Sequence, residues 1–363
     1  MSQRIKSVDA FRGLSIVVMI FYHPVLWWTV TSQIWLLLLV RRILFLEASL
    51  FVFVSGISVV LSLRNRMEKI DINQTYSKRD IRREHYSRSL IFLIIAIIYN
   101  IFTVIWFMGL WGLWSWYVLF TVAICQLIAY PLMKLSSLTR VLLTFFIIFI
   151  TYPILMVLGN LRNFSPKSGW SILYHLIFNP IQEYPILPNL AFFCLGTVCG
   201  EIFYETYAIN DDILRNIEIK NKIVKKFFVY GTLLMVGALI YSSFMFNDVF
   251  TYLNRDTPIC QLFGIGWGLF LIAFFTYIHD FRLSPEWKHK FFFYFSFYSL
   301  TLYLAHNIVA FIFWQSLNII MSFIIATIST IGFWYLSKIM HNRFGQKASI
   351  KYLMGKILNK FSK

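Results

Sequence analysis

Residues 141–158, VLLTFFIIFITYPILMVL, contain no charged side chain, and Arg140 and Arg162 stand on either side of the run. About 20 consecutive apolar residues cross the hydrocarbon core as a helix, so this stretch reads as a membrane span. Nine more runs of similar character lie before and after it. The ten predicted spans are 13–30, 43–63, 89–107, 113–133, 141–158, 188–205, 227–246, 259–279, 291–314 and 317–337. The fold class expected is all-α, a polytopic membrane helix bundle.

Composition points the same way. Of the 363 residues 59% are hydrophobic, 19% aromatic and only 13% charged, where a soluble domain carries about 25% charged residues. Mean hydropathy is +0.68. These values exclude a disordered chain, a collagen-like repeat, a disulfide-stapled secreted domain and a typical cytosolic enzyme. The length is used up by spans and short loops, which leaves one membrane-embedded domain over 1–340 and a basic cytoplasmic tail over 341–363. The first apolar run is not followed by a small-residue cleavage site, so it reads as a span.

The net charge of +17 does not indicate nucleic acid. The basic residues gather in the short segments between spans. With ten spans both termini share a side, and 28 of the 33 lysines and arginines fall on that side. Basic loops stay cytoplasmic, so both termini are predicted to be cytoplasmic and the membrane most readily inferred is the plasma membrane. The four cysteines lie in apolar runs without metal spacing, and no metal set, phosphate loop or nucleophile elbow is present. Gly196-xxx-Gly200 reads as a close helix contact. Gly264-x-Gly266-x-Gly268 lacks the strand that a dinucleotide site needs.

Ionisable groups inside spans are costly and mark function by default. Three qualify. His23 falls ~16 Å from the inner face, Glu47 ~25 Å and His306 ~24 Å, at 1.5 Å per helical residue. All three are expected in the outer half of the bundle, where they could line one cavity. Each also has a structural reading. His23 precedes Pro24 and could bond carbonyls that the proline frees. Glu47 could pair with Arg41 or Arg42 at the interface. His306 could be interhelical polar glue with Tyr303 or Asn307. His85 and His341 read as solvated, and His175 and His279 as interfacial.

The N-terminal stretch Ser7-Val-Asp-Ala-Phe-Arg-Gly-Leu-Ser15, running into Val18-Met-Ile-Phe-Tyr-His23, resembles the opening of the heparan-alpha-glucosaminide N-acetyltransferase catalytic family, with its S-x-D-x-x-R-G motif. Leu50–Ser58, Tyr184–Gly200 and Ser299–His306 are similar to later family segments, and the last is also similar to acyltransferase-3 families. The resemblance implies a CoA-dependent membrane acyltransferase. Its co-substrate would be cytoplasmic acetyl-CoA or another acyl-CoA, and its acceptor an amine or hydroxyl of a sugar or glycan on the outer side. In the lysosomal enzyme of that family, which the chain resembles here, the first span ends in Asn and the active histidine lies in the luminal loop that follows. This chain has no histidine between 24 and 84, and His23 stands where the lysosomal enzyme has Asn. His23 is therefore expected to act as catalytic base or acyl carrier, with His306 and Glu47 as partners.

On the inner side, Arg82, Arg83 and Arg88 lead into the third span and are expected to hold CoA phosphates. Asp9 and Arg12, three apart on one face of the helix start, are expected to pair and either fix the CoA entrance or, equally, serve as a structural cap. A loop that is basic only for topology remains the alternative for these arginines. The rival function is a transporter or lipid-handling protein that uses intramembrane His and Glu as proton relays without acyl transfer. An oligomer is compatible with either reading.

Overall fold

The structure, a computed structural model, describes residues 5–34, 49–72, 77–103, 116–178, 185–245, 257–282 and 290–361. Its helices are α1 (Lys6–Trp28), α2 (Ser49–Ile72), α3 (Lys78–Thr103), α4 (Val118–Leu132), α5 (Ser137–Phe164), α6 (Gly169–Ile177) and α7 (Ile186–Tyr207). Next come α8 (Asp212–Glu218), a π-helical turn (Ile219–Lys225), α9 (Lys226–Met245), α10 (Pro258–Tyr277) and a second π turn (Ile278–Arg282). The chain ends with α11 (Lys290–Phe297), α12 (Ser299–Ala305), a 3-10 turn (His306–Val309), α13 (Ile319–Phe344) and α14 (Ile350–Phe361). Among the described residues no β-strand occurs, and the one extended pairing is the isolated bridge Thr29–Leu317. The protein is an all-α polytopic membrane bundle.

Eight of the helical stretches among the described residues are long and apolar enough to cross a bilayer. They correspond to eight of the ten predicted spans. The other two differ. The helix at 113–133 is observed as Val118–Leu132, shorter than a full span; residues 113–115 lie outside the described set. The predicted continuous span 291–314 is broken. Tyr298 leaves helical geometry (φ −94°, ψ 19°) between α11 and α12, and the helix gives way to a 3-10 turn at His306. Hydropathy averages over a window and cannot see a bend. The apolar residues in and beyond the turn, Ile308, Phe311, Ile312 and Trp314, are exposed, as aromatic and aliphatic side chains at a membrane interface are.

The chain forms two compact units, Met1–Phe51 with Phe274–Lys363, and Val52–Ala273. In the first, α1 packs along α11, α12 and α13. Ile16 and Ile20 of α1 meet Phe295, Tyr298 and Leu302, and Val25 and Trp28 meet Ala326 of α13. The end of α1 is pinned by the chain returning from α12. Gln315 N–H donates to the Trp27 carbonyl (2.8 Å), Leu317 N–H to that of Trp28 (2.8 Å), and Val30 N–H to that of Leu317 (2.9 Å). The first two occupy carbonyls that the end of α1 leaves without an intrahelical partner. The Trp28 indole N–H donates to the Val309 carbonyl at 3.0 Å, which fixes the turn after His306.

In the second unit α7 is the most enclosed of the spans. Its glycines admit α2. A Cβ on Gly196 would lie 3.2 Å from the Gly56 Cα, and one on Gly200 would lie 2.8 Å from the Val60 Cβ. The Gly196-xxx-Gly200 pattern is thus a helix contact. Gly266 of α10 likewise backs onto the Gly231 carbonyl of α9, where a Cβ would come to 2.7 Å. Large apolar residues such as Leu142, Phe146 and Phe149 of α5 or Leu233 and Ile240 of α9 stay exposed, as a lipid-facing surface requires.

Candidate functional site

The first unit brings His23 and His306 together across 283 positions of sequence. The His23 Nδ1 lies 2.9 Å from the His306 Nε2. His23 sits in the last two turns of α1, beside Pro24. His306 opens the 3-10 turn after α12 and is 1% exposed. Its own Nδ1 lies 2.5 Å from the Tyr303 carbonyl oxygen. A carbonyl only accepts, so His306 Nδ1 carries hydrogen there. In a neutral imidazole the other nitrogen then bears the lone pair. His306 Nε2 is that acceptor, and His23 Nδ1–H donates to it. The neutral pair therefore leaves the lone pair of His23 on Nε2. Trp27 lies against both rings, stacked on His306 (centroids 5.8 Å, 17°) and tilted over His23 (5.1 Å). The Tyr303 ring meets His306 edge-on at 5.6 Å. Two imidazoles are thus held in one orientation by a backbone carbonyl and an indole face. Glu47, the third predicted member, lies outside the described residues.

The S-x-D-x-x-R-G motif has a geometric meaning at the start of α1. Arg12 Nη1 reaches the Asp9 Oδ1 at 3.1 Å. Ser296 of α11 donates to that same oxygen at 3.2 Å and lies 3.4 Å from Arg12 Nη1. Gly13 lets α11 come this close. A Cβ there would fall on the Phe292 carbonyl, 2.9 Å from both its carbon and the Phe292 Cβ. Ser7 and Asp9 are buried. The motif fixes the crossing of α1 with α11, and α11 leads through Tyr298 into α12 and the turn that His306 opens.

The basic approach to the third span belongs to the second unit. Arg82 and Arg83 are exposed on the first turns of α3. Arg88 is half-buried and paired with Glu84 at 2.5 Å, and Arg66 of α2 reaches the other Glu84 oxygen at 3.4 Å. The structure therefore leaves Arg82 and Arg83 presented to solvent and engages Arg88 in an ion pair.

Several polar groups are more enclosed than the sequence suggested. His85 is buried, and its Nε2–H donates to the Gln126 carbonyl of α4 at 2.8 Å. His341 sits among the rings of Phe293, Tyr294, Phe297 and Tyr298. The Tyr298 hydroxyl gives its proton to the Gly345 carbonyl (2.7 Å), so at 3.3 Å it accepts from His341 Nδ1. His175 on α6 has its pKa lowered by burial and then by Arg162. Glu201 of α7 escaped the sequence reading altogether. It is 4% exposed and takes Arg64 in a two-pronged ion pair (2.8 and 2.9 Å) and Arg140 at 3.3 Å. An acid inside the apolar run 188–205 was the available signal. Among the described residues no three His, Cys, Asp or Glu side chains gather into a metal-binding group.

A family model described as heparan-alpha-glucosaminide N-acetyltransferase, catalytic, matches residues 4–236, more than half of the chain. The matched stretch holds Asp9, Arg12, His23, Arg64, Arg140 and Glu201, while His306 lies beyond it. No curated protein matches.

Proposed function

Because the chain belongs to the heparan-alpha-glucosaminide N-acetyltransferase catalytic family, a family of membrane acetyltransferase type, we propose that it moves an acetyl or other acyl group from cytoplasmic acyl-CoA to an amine or hydroxyl of a sugar on the outer side of the plasma membrane. Both termini are assigned to the cytoplasm by the distribution of basic residues. The observation that carries the reading is the His23–His306 pair, 2.9 Å apart inside the bundle.

In the reaction we infer, His23 Nε2 takes the proton of the acceptor hydroxyl or amine as that heteroatom attacks the thioester carbonyl. The carbon–sulfur bond breaks, the acyl–oxygen or acyl–nitrogen bond forms, and the proton returns from His23 to the CoA thiolate. His306, locked by the Tyr303 carbonyl, accepts from His23 Nδ1–H throughout. It keeps the base in the productive tautomer and shares the positive charge of the imidazolium, the role that the buried third group has in other activated-base arrangements. Asp9 and Arg12 hold α11 and hence the His306 segment. Arg82 and Arg83 carry charge suited to CoA phosphates.

The test uses purified protein in lipid nanodiscs with radiolabelled acetyl-CoA and a panel of amino and hydroxyl sugars. Label transfer that His23→Ala lowers by about 10²–10⁴-fold, the usual loss on removing a general base, supports the reading. CoA neither released nor exchanged under any acceptor would point to the transporter alternative.

A further inference from the structure

Arg140 presents an unresolved charge within the second unit. It lies in the first turn of α5 with its side chain 3% exposed. Its Nη2 makes two long contacts, 3.3 Å to Glu201 Oε1 and 3.4 Å to Ser137 Oγ. Its Nε and Nη1 are buried and have no hydrogen-bond partner among the described residues. Glu201 pairs with both guanidiniums, closely with Arg64 at 2.8 and 2.9 Å and more loosely with Arg140, so its single negative charge is divided between them. The nearby Glu68 accepts from the Tyr204 hydroxyl at 2.6 Å. Two guanidinium groups thus share one carboxylate. A buried charge with unmet donors is costly, and three unused N–H bonds on one planar group match an anion with several acceptor oxygens. The start of α5 adds the favourable end of a helix dipole.

We propose that Arg140, with Arg64 beside it, holds a phosphate group at this site, drawn either from acyl-CoA or from a phospholipid headgroup. The first source rests on the acyltransferase reading; the second does not. The geometry assigns Arg140 the direct contact, and Glu201 the opposing role of limiting how tightly the anion is held.

The experiment uses the full-length protein in nanodiscs and two variants, Arg140→Gln and Glu201→Gln, checked for folding by circular dichroism and gel filtration. Affinity for CoA and for inorganic phosphate is measured in neutral-lipid discs. Thermal stabilisation by phosphatidylglycerol is measured in discs with and without that lipid. With CoA as the source, Arg140→Gln raises the CoA dissociation constant tenfold or more and abolishes competition by phosphate, while Glu201→Gln tightens both. With the headgroup as the source, phosphatidylglycerol stabilisation disappears in Arg140→Gln and CoA affinity is unchanged. If Arg140→Gln does not fold, Arg140→Lys keeps the charge without the fork, and the proposal then expects a weakened but measurable affinity for one of the two. Equal binding of every probe by wild type and the Arg140 variant overturns the proposal. So does a parallel loss in the Arg140 and Glu201 variants, which marks a structural ion pair only. Acyl transfer is scored separately, so phosphate binding without turnover sinks the function and leaves this site standing.

Discussion

Replacing Gly13 by alanine tests how the family motif works. A Cβ on Gly13 would fall on the Phe292 carbonyl, 2.9 Å from its carbon, where ordinary contact begins near 3.4 Å. The carbonyl oxygen lies closer still, so α1 and α11 must separate by clearly more than half an ångström. The obstacle is main chain, so no rotamer change relieves it. Overpacking of this kind costs about 1–3 kcal/mol, against which the better helix propensity of alanine returns up to about 1 kcal/mol. The movement opens the Asp9–Ser296 bond, already 3.2 Å, and shifts the lead-in to His306. Misplacement of reacting groups by about 1 Å can lower a rate about 10²-fold, so a several-fold to hundredfold loss of acyl transfer is expected with a lower melting temperature. Gly332 in α13 is the control, since nothing lies within 4 Å of a Cβ there. Gly332→Ala should leave both readings level or slightly improved. Thermal unfolding in detergent and initial rates with labelled acetyl-CoA measure the two effects. If Gly13→Ala behaves like Gly332→Ala, the close crossing does not hold the histidine pair and the reasoning fails.

Three further outcomes are expected. His23→Ala should abolish turnover while acyl-CoA still binds, and His306→Gln should lower the rate less and leave KM for acyl-CoA near its wild-type value; a dead His306 variant beside an active His23 variant reverses their roles. Joint reversal of Arg82 and Arg83 to glutamate should weaken acyl-CoA binding most at low salt, because exposed charges are screened over about 10 Å at 0.1 M; salt-independent binding equal to wild type would make this segment a topology signal alone. Cysteines introduced at Ser165 and Lys78 should label from the outside and the inside respectively, and labelling from a common side would refute the assigned orientation.

The sequence by itself determined that the protein is helical and crosses a membrane many times. Those are local properties: an uncharged run such as 141–158 must satisfy its backbone internally in lipid, and only a helix does that within one segment. The motif around Asp9, Arg12 and Gly13 determined the family. His23 and His306 could be singled out as costly groups in apolar runs, and Gly196 and Gly200 as a contact stripe.

What the tertiary structure decided depends on residues far apart in the chain. Nothing local says that His23 meets His306, or that Tyr303 sets the tautomer of the pair. Nor does the apolar run 291–314 reveal its bend at Tyr298, since a hydropathy window sums composition and discards direction. Glu201, Arg64 and Arg140 belong to three helices; the two arginines alone look like loop-end charges, and Glu201 alone is an acid in an apolar run with no partner in view. Only folding joins them, because burial and partnership are properties of packed helices and not of the residues that compose them.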